Sequence, residues 1–271
     1  MPMRSALFLI SLVLSTAGCS QPQEFDDKIG ASSEGAKSVS ARMESPDAEP
    51  VSLKEDAERY QFEWSYPAAA AAIPALAEKL DAMGAESLAL LKDEANRDYE
   101  TAKGESWEAR PHSALTKWSV VANLPDYLSL SSQIATYGGG AHGNYTKTSM
   151  VWDKKAAQAV DGVEMFSSPV ALGRALGSTL CDALNTQREA RRPTPVEPGS
   201  TEWPNNCPPV SDATVLVGSS NGETFDRIGI YFGPYTAGPY AEGDYELNFP
   251  VTGAVLDAVK PEYASAFSIK R

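Results

Sequence analysis

The chain has 271 residues, with 36 acidic against 23 basic side chains, a net charge of −13 and only two histidines. So acidic a balance argues against nucleic-acid binding, which needs clustered positive charge, and suits steering towards a basic partner. His112 and His142, with no H-E-x-x-H pattern, fall short of a three-ligand zinc site, so no metal or cofactor is expected.

At the N-terminus, Arg4 precedes an apolar run over residues 6–14 that is too short to span a bilayer. Ser15-Thr16-Ala17-Gly18-Cys19 follows and resembles the lipobox of bacterial lipoproteins, with Thr16 where leucine is usual. The resemblance implies that residues 1–18 are removed as a signal peptide and that Cys19 is lipidated. The membrane is then a partner through the anchor, against the plainer outcome of an ordinary signal peptide and a soluble product. Ser20 after the cysteine is similar to the outer-membrane sorting pattern, which places the protein on the periplasmic side of the outer membrane, or otherwise on an extracytoplasmic membrane face. No other run approaches eighteen apolar residues.

Residues 19–50 are rich in Ser, Glu, Asp, Gln, Ala and Gly and read as a lipidated flexible tether. Residues 51–271 are expected to form one α+β domain, or two packed halves near 51–160 and 161–271. Tyr60, Phe62, Trp64 and Tyr66 alternate with polar residues as in a half-buried strand. Ile73, Leu76, Ala77, Leu80, Met83, Leu88, Leu91, Ala95 and Tyr99 recur at helical spacing, which predicts one long helix to about residue 102. Strands are expected at 115–121, 127–137 and 145–152, in antiparallel pairing because no long crossover separates them. Ser168 and Pro169 open a second helix, with Val170, Leu172, Leu176, Leu180 and Leu184 on one face and Pro193 ending it. A strand at 214–217, a tight Asn221-Gly222 turn, a strand at 225–232 and a short helix at 251–260 complete the chain. The expected fold is therefore α+β, with a mainly antiparallel sheet, two major helices and a short C-terminal helix.

With Cys19 given to lipid, Cys181 and Cys207 remain as an even pair in an oxidising compartment and are expected to form a structural disulfide. Tyr137-Gly138-Gly139-Gly140-Ala141-His142-Gly143-Asn144-Tyr145 permits positive φ and close approach of a ligand, or simply makes a bulged hairpin. A phosphate-cradling loop does not fit, since no G-K-[ST] and no helix follow. Tyr231, Tyr235, Tyr240 and Tyr245 lie among Pro234, Pro239, Gly233, Gly238 and Gly243, in a segment stiff at the prolines and sharply turned at the glycines. Such rings suit an interface or stacking on sugar, or else pack beneath their own loop.

Residues 134–143, a polar strand to Trp152, and Glu164-Met165-Phe166 resemble a family of extracellular domains of unknown function. That family commonly carries a segment like 230–243 near its C-terminus, and the resemblance spans roughly residues 55–260. Members include the extracellular part of a lysozyme-sensing anti-sigma factor and the N-terminal region of a peptidoglycan deacetylase. The chain lacks the former's transmembrane segment and has no room for the latter's metal-dependent catalytic domain, so neither activity transfers automatically.

The resemblance implies a cell-envelope binding module for lysozyme-like proteins or peptidoglycan fragments. Its expected ligand-binding residues are Tyr137, Gly139, Gly140, His142, Asn144, Tyr145, Tyr235 and Tyr240. The rivals are a peptidoglycan-active hydrolase or deacetylase-like enzyme and a purely structural lipoprotein. No catalytic residue is assigned. Gly218-Ser219-Ser220-Asn221-Gly222 matches G-x-S-x-G but leads into a strand, and both histidines precede Ser220. Asp161, Glu164 and Glu242 are candidate acids only through their nearness to the motifs.

Overall fold

The computed structural model describes residues 48–269, apart from 106, 195 and 198. The signal segment, Cys19 and all of the expected tether before residue 48 lie outside the described residues. Among the described residues, no helix is long and apolar enough to cross a membrane.

Chain order begins with β1 (Val51–Asp56) and β2 (Tyr60–Tyr66), a short helix α1 (Ala68–Ala71) and the long helix α2 (Pro74–Glu105). Then come β3 (His112–Asn123), β4 (Tyr127–Tyr137), β5 (Asn144–Asp153) and β6 (Gln158–Val160). These six strands form one sheet in the order β1 to β6, antiparallel throughout except between β2 and β3. The parallel pair follows from α2, which carries the chain from the end of β2 back to the start of β3. The alternating rings of β2 do what their period predicts: Phe62, Trp64 and Tyr66 are buried against Leu76, Leu80 and Leu91 of α2.

Neighbouring residues of β5 point to opposite faces of the sheet. Met150 and Trp152 join the core under α2, whereas Val151 joins a second core on the other face. A bulge between Val120 and Ala122 has the same consequence in β3. Trp118 packs under α2 while Ala122, past the bulge, packs into the second core.

That second core is shared with α3 (Pro169–Leu176), α4 (Ser178–Arg191), the strands β7 (Thr214–Gly218), β8 (Arg227–Phe232) and β9 (Tyr245–Pro250), and α5 (Gly253–Ala258). β7, β8 and β9 form an antiparallel three-stranded sheet. Buried Lys147 of β5 pairs with Glu246 of β9, which ties the two sheets together. The fold class is thus the α+β arrangement expected, with a second small sheet.

Three local expectations are corrected. The single helix expected from Ser168 is two helices, because Gly177 between them adopts φ 58° and interrupts the ladder. Ser168 does cap the first of them, accepting from Ala171 N at 3.0 Å. Val170 is 59% exposed, and the buried stripe is Leu172, Leu176, Leu180 and Leu184. Asn221-Gly222 does not make a two-residue hairpin: it lies in a wider loop between Gly218 and Arg227, where Asn221 Oδ1 accepts from the backbone of Glu223 and Thr224. The disulfide joins Cys181 on α4 to Cys207, with Cα atoms 5.6 Å apart.

Candidate ligand-binding surface

Thr136 and Asn144 are the last β4–β5 pair, so the glycine-rich segment is a hairpin loop. Tyr137 folds back over it, its hydroxyl donating to Gly140 O at 2.9 Å, and Arg110 donates to both Tyr137 Oη and Gly140 O. Beneath the loop, buried His112 pairs with Asp98 of α2 at 3.1 Å, and a side chain placed at Gly139 would meet the His112 ring. The loop conformation is therefore set from below by β3 and α2.

On its other side the hairpin meets the Pro/Gly/Tyr segment. His142 stacks on Tyr240 with ring centroids 4.2 Å apart, and Tyr240 Oη donates to Gly143 O at 2.8 Å. His142 Nδ1 donates to the same carbonyl at 2.8 Å, which leaves Nε2 to accept from Tyr235 Oη at 3.4 Å. Tyr235 and Tyr145 complete the group, at 5.4 Å and 6.3 Å from the Tyr240 ring. Burial, followed by the nearness of Asp244, pushes the Tyr145 hydroxyl pKa up. Asn144 is exposed and pairs across the hairpin. The expected site residues thus divide: His142, Tyr145, Tyr235 and Tyr240 come together, Tyr137, Gly139 and Gly140 sit on the Arg110 side of the loop, and Asn144 is exposed at the end of the hairpin pairing. With the ring centroids 4.2 Å apart, no ligand fits between His142 and Tyr240. The outer face of the stack is what solvent sees.

The four tyrosines divide accordingly. Tyr231 and Tyr245 are buried, Tyr240 is half-buried, and Tyr235 is 52% exposed. Tyr235 also has φ 69°, a left-handed conformation that costs a bulky residue about 1–3 kcal/mol. Its segment is held there by α4, through residues that sequence patterning had not singled out. Arg188 is fully buried and donates to Ala237 O from Nε at 3.0 Å and from Nη2 at 2.6 Å, and also to Asn205 O and Asn206 O. Arg192 grips Glu242 in a two-pronged pair at 2.8 Å on each oxygen. Arg191 donates to Glu242 O and Asp244 O and lies over the Tyr245 ring at 4.2 Å. The readable signal was positional: Arg188 continues the every-fourth-residue stripe of Leu180 and Leu184, so a guanidinium is carried into the core.

The candidate acids serve local structure. Asp161 and Glu164 form a reciprocal capping box at the turn Gly162–Met165. Burial would raise the Glu242 carboxyl, but hydrogen bonds from Arg192 and Tyr245 outweigh it and hold its pKa below the ordinary 4.5. A carboxyl lowered in the fold stabilises it above the unfolded value, and that contribution is lost as pH falls through the folded value. The expected result is a urea midpoint that falls more steeply between about pH 6 and about pH 3 for the wild type than for Glu242→Gln. Parallel curves would remove Glu242 from the acid response. Ser220 is equally occupied, donating to buried Asp226 from N at 2.7 Å and from Oγ at 2.5 Å, with β8 and not a helix after it.

These features define a class: an α+β domain whose two sheets share a core and whose hairpin and arginine-held loop present rings to solvent. Residues 53–145 match the family model described as Deacetylase PdaC, from within β1 to the start of β5. The match includes the glycine-rich hairpin and stops short of Tyr235 and Tyr240. Among solved structures, the chain is similar to a DUF3298 family member from Bacteroides fragilis, at 16% identity over 77% of this chain and 92% of that one, with a TM-score of 0.47. It is also similar to a DUF3298 family protein from Pseudomonas aeruginosa PAO1, at 17% identity over 82% and 97%, with a TM-score of 0.44. No curated protein matches the chain.

Proposed function

We propose that the protein is a binding module of the cell envelope, lipid-anchored at Cys19 on the periplasmic side of the outer membrane. Its surface of His142, Tyr235 and Tyr240 holds a lysozyme-like protein or a peptidoglycan fragment. The observation that carries this reading is Tyr235. Its backbone is kept in a costly conformation by buried Arg188 bonds two residues away, while its ring faces solvent. Strain retained at a ring that leans on His142 and Tyr240 yet stays 52% exposed points to a partner outside the fold. The partial likeness to a deacetylase family model supports a cell-wall setting. The net charge of −13 favours a basic partner, with association that weakens as salt rises.

The test is capture of hen lysozyme and of soluble peptidoglycan fragments by the immobilised protein. The double variant His142→Ala/Tyr235→Ala is expected to weaken the bound ligand by about tenfold or more, as loss of exposed aromatic contacts does at interfaces. Equal capture by both proteins, or none by either, would overturn the reading.

A further inference from the structure

Trp203 is 56% exposed and belongs to neither motif. Its indole Nε1 donates to Tyr235 O at 3.4 Å, so the two solvent-facing rings stand on neighbouring segments. The turn that bears it is fixed at several points. Asn205 N and Asn206 N both donate to Glu202 O at 2.8 Å, Asn205 Oδ1 accepts from Arg192 at 2.7 Å, and Cys207 is bridged to α4. Arg188 bonds the carbonyls of Asn205 and Asn206 on one side and of Ala237 on the other, so one buried guanidinium holds both segments.

Trp203 also borders an open cavity of about 410 Å³, lined with Glu197, Ser200, Thr201, Glu202 and Asn205. That volume is within the range of small-ligand sites, but the lining is unlike the apolar walls usual there. Carboxylates, hydroxyls and an amide around one exposed indole suit a ligand with an apolar face and a rim of hydroxyl donors. A pyranose ring has that construction. It has a C–H face suited to an indole and hydroxyls able to donate to carboxylates in charge-assisted bonds.

We infer that Trp203 and the cavity beside it form a saccharide subsite that takes a pyranose unit of a glucosamine-based glycan next to Tyr235. This rests on the reading above that the ligand comes from the cell wall and narrows it to the glycan. A basic protein offering a lysine to the same carboxylates is the competing occupant.

The experiment is calorimetric titration of the purified protein with the hexamer of N-acetylglucosamine and, separately, the hexamer of glucosamine. Trp203→Ala, Trp203→Phe and Tyr235→Ala are run beside the wild type, and unchanged melting temperatures establish that the variants fold. Binding of either hexamer that Trp203→Ala weakens about tenfold or more, and that Trp203→Phe largely restores, is the expected result. Binding that Trp203→Ala leaves within about twofold places the sugar elsewhere and overturns the subsite. Capture of lysozyme with no affinity for either hexamer overturns it as well, yet leaves the binding module standing. Loss of lysozyme capture in Tyr235→Ala would then mark the separate role of that ring.

Discussion

Arg188→Met should lower stability by about 3–4 kcal/mol, read as a fall in the urea midpoint at constant slope. Methionine fills much of the same space, so the loss reports bonds more than volume. Five hydrogen bonds disappear, to Ala237 O twice and to Asn205 O, Asn206 O and Asn185 Oδ1. Ala237 is fully buried, and its carbonyl retains only a 3.4 Å contact from Arg192. A buried acceptor deprived of its donor costs about 1–3 kcal/mol, more than an ordinary bond contributes. Against this stands relief from burying the charge itself, a burial that pulls the Arg188 pKa down. The unpaired carbonyls prevail because they come from two separate chain segments, at Ala237 and at Asn205–Asn206, packed over the same buried guanidinium. The same substitution should release Tyr235 and weaken any ligand held there. A midpoint within about 0.5 kcal/mol of wild type would show that α4 does not hold the loop.

Gly162→Ala should be comparably costly, at about 3 kcal/mol or more. Gly162 opens the turn where the chain leaves the six-stranded sheet, and its N–H donates to Ser149 Oγ at 3.1 Å. A Cβ there would lie 2.2 Å from Val215 O and 2.7 Å from Ser149 Oγ. Val215 O belongs to a paired strand of the second sheet, so relief requires moving β7 against β5. Gly253→Ala is the control. A Cβ at that position meets nothing within 4 Å, and alanine in the first turn of α5 should be neutral or stabilise by up to about 1 kcal/mol. Equal urea midpoints for the two variants would show that the sheets are not in close contact at Gly162.

The halves of the site were unequally legible. His142, Tyr235 and Tyr240 stand in segments whose glycines and prolines mark irregular backbone, and composition alone drew attention to them. That His142 stacks on Tyr240 depends on where β5 and β9 begin in three dimensions. Trp203 carried no signal, because an exposed tryptophan in a proline-rich stretch has no periodicity to betray it.

The amino-acid sequence by itself determined which residues go inside on β2 and α2, where α3 begins, and that Cys181 and Cys207 have each other to bond with. Each of these follows from spacing along a single element, or from counting. Only the tertiary structure decided that β2 and β3 run parallel, that a bulge at Val120 redirects Ala122 into another core, and that Arg188 is satisfied. The reason is common to all three. A strand's partner, and the carbonyls that meet a buried guanidinium, come from remote segments, and local periodicity carries no record of them.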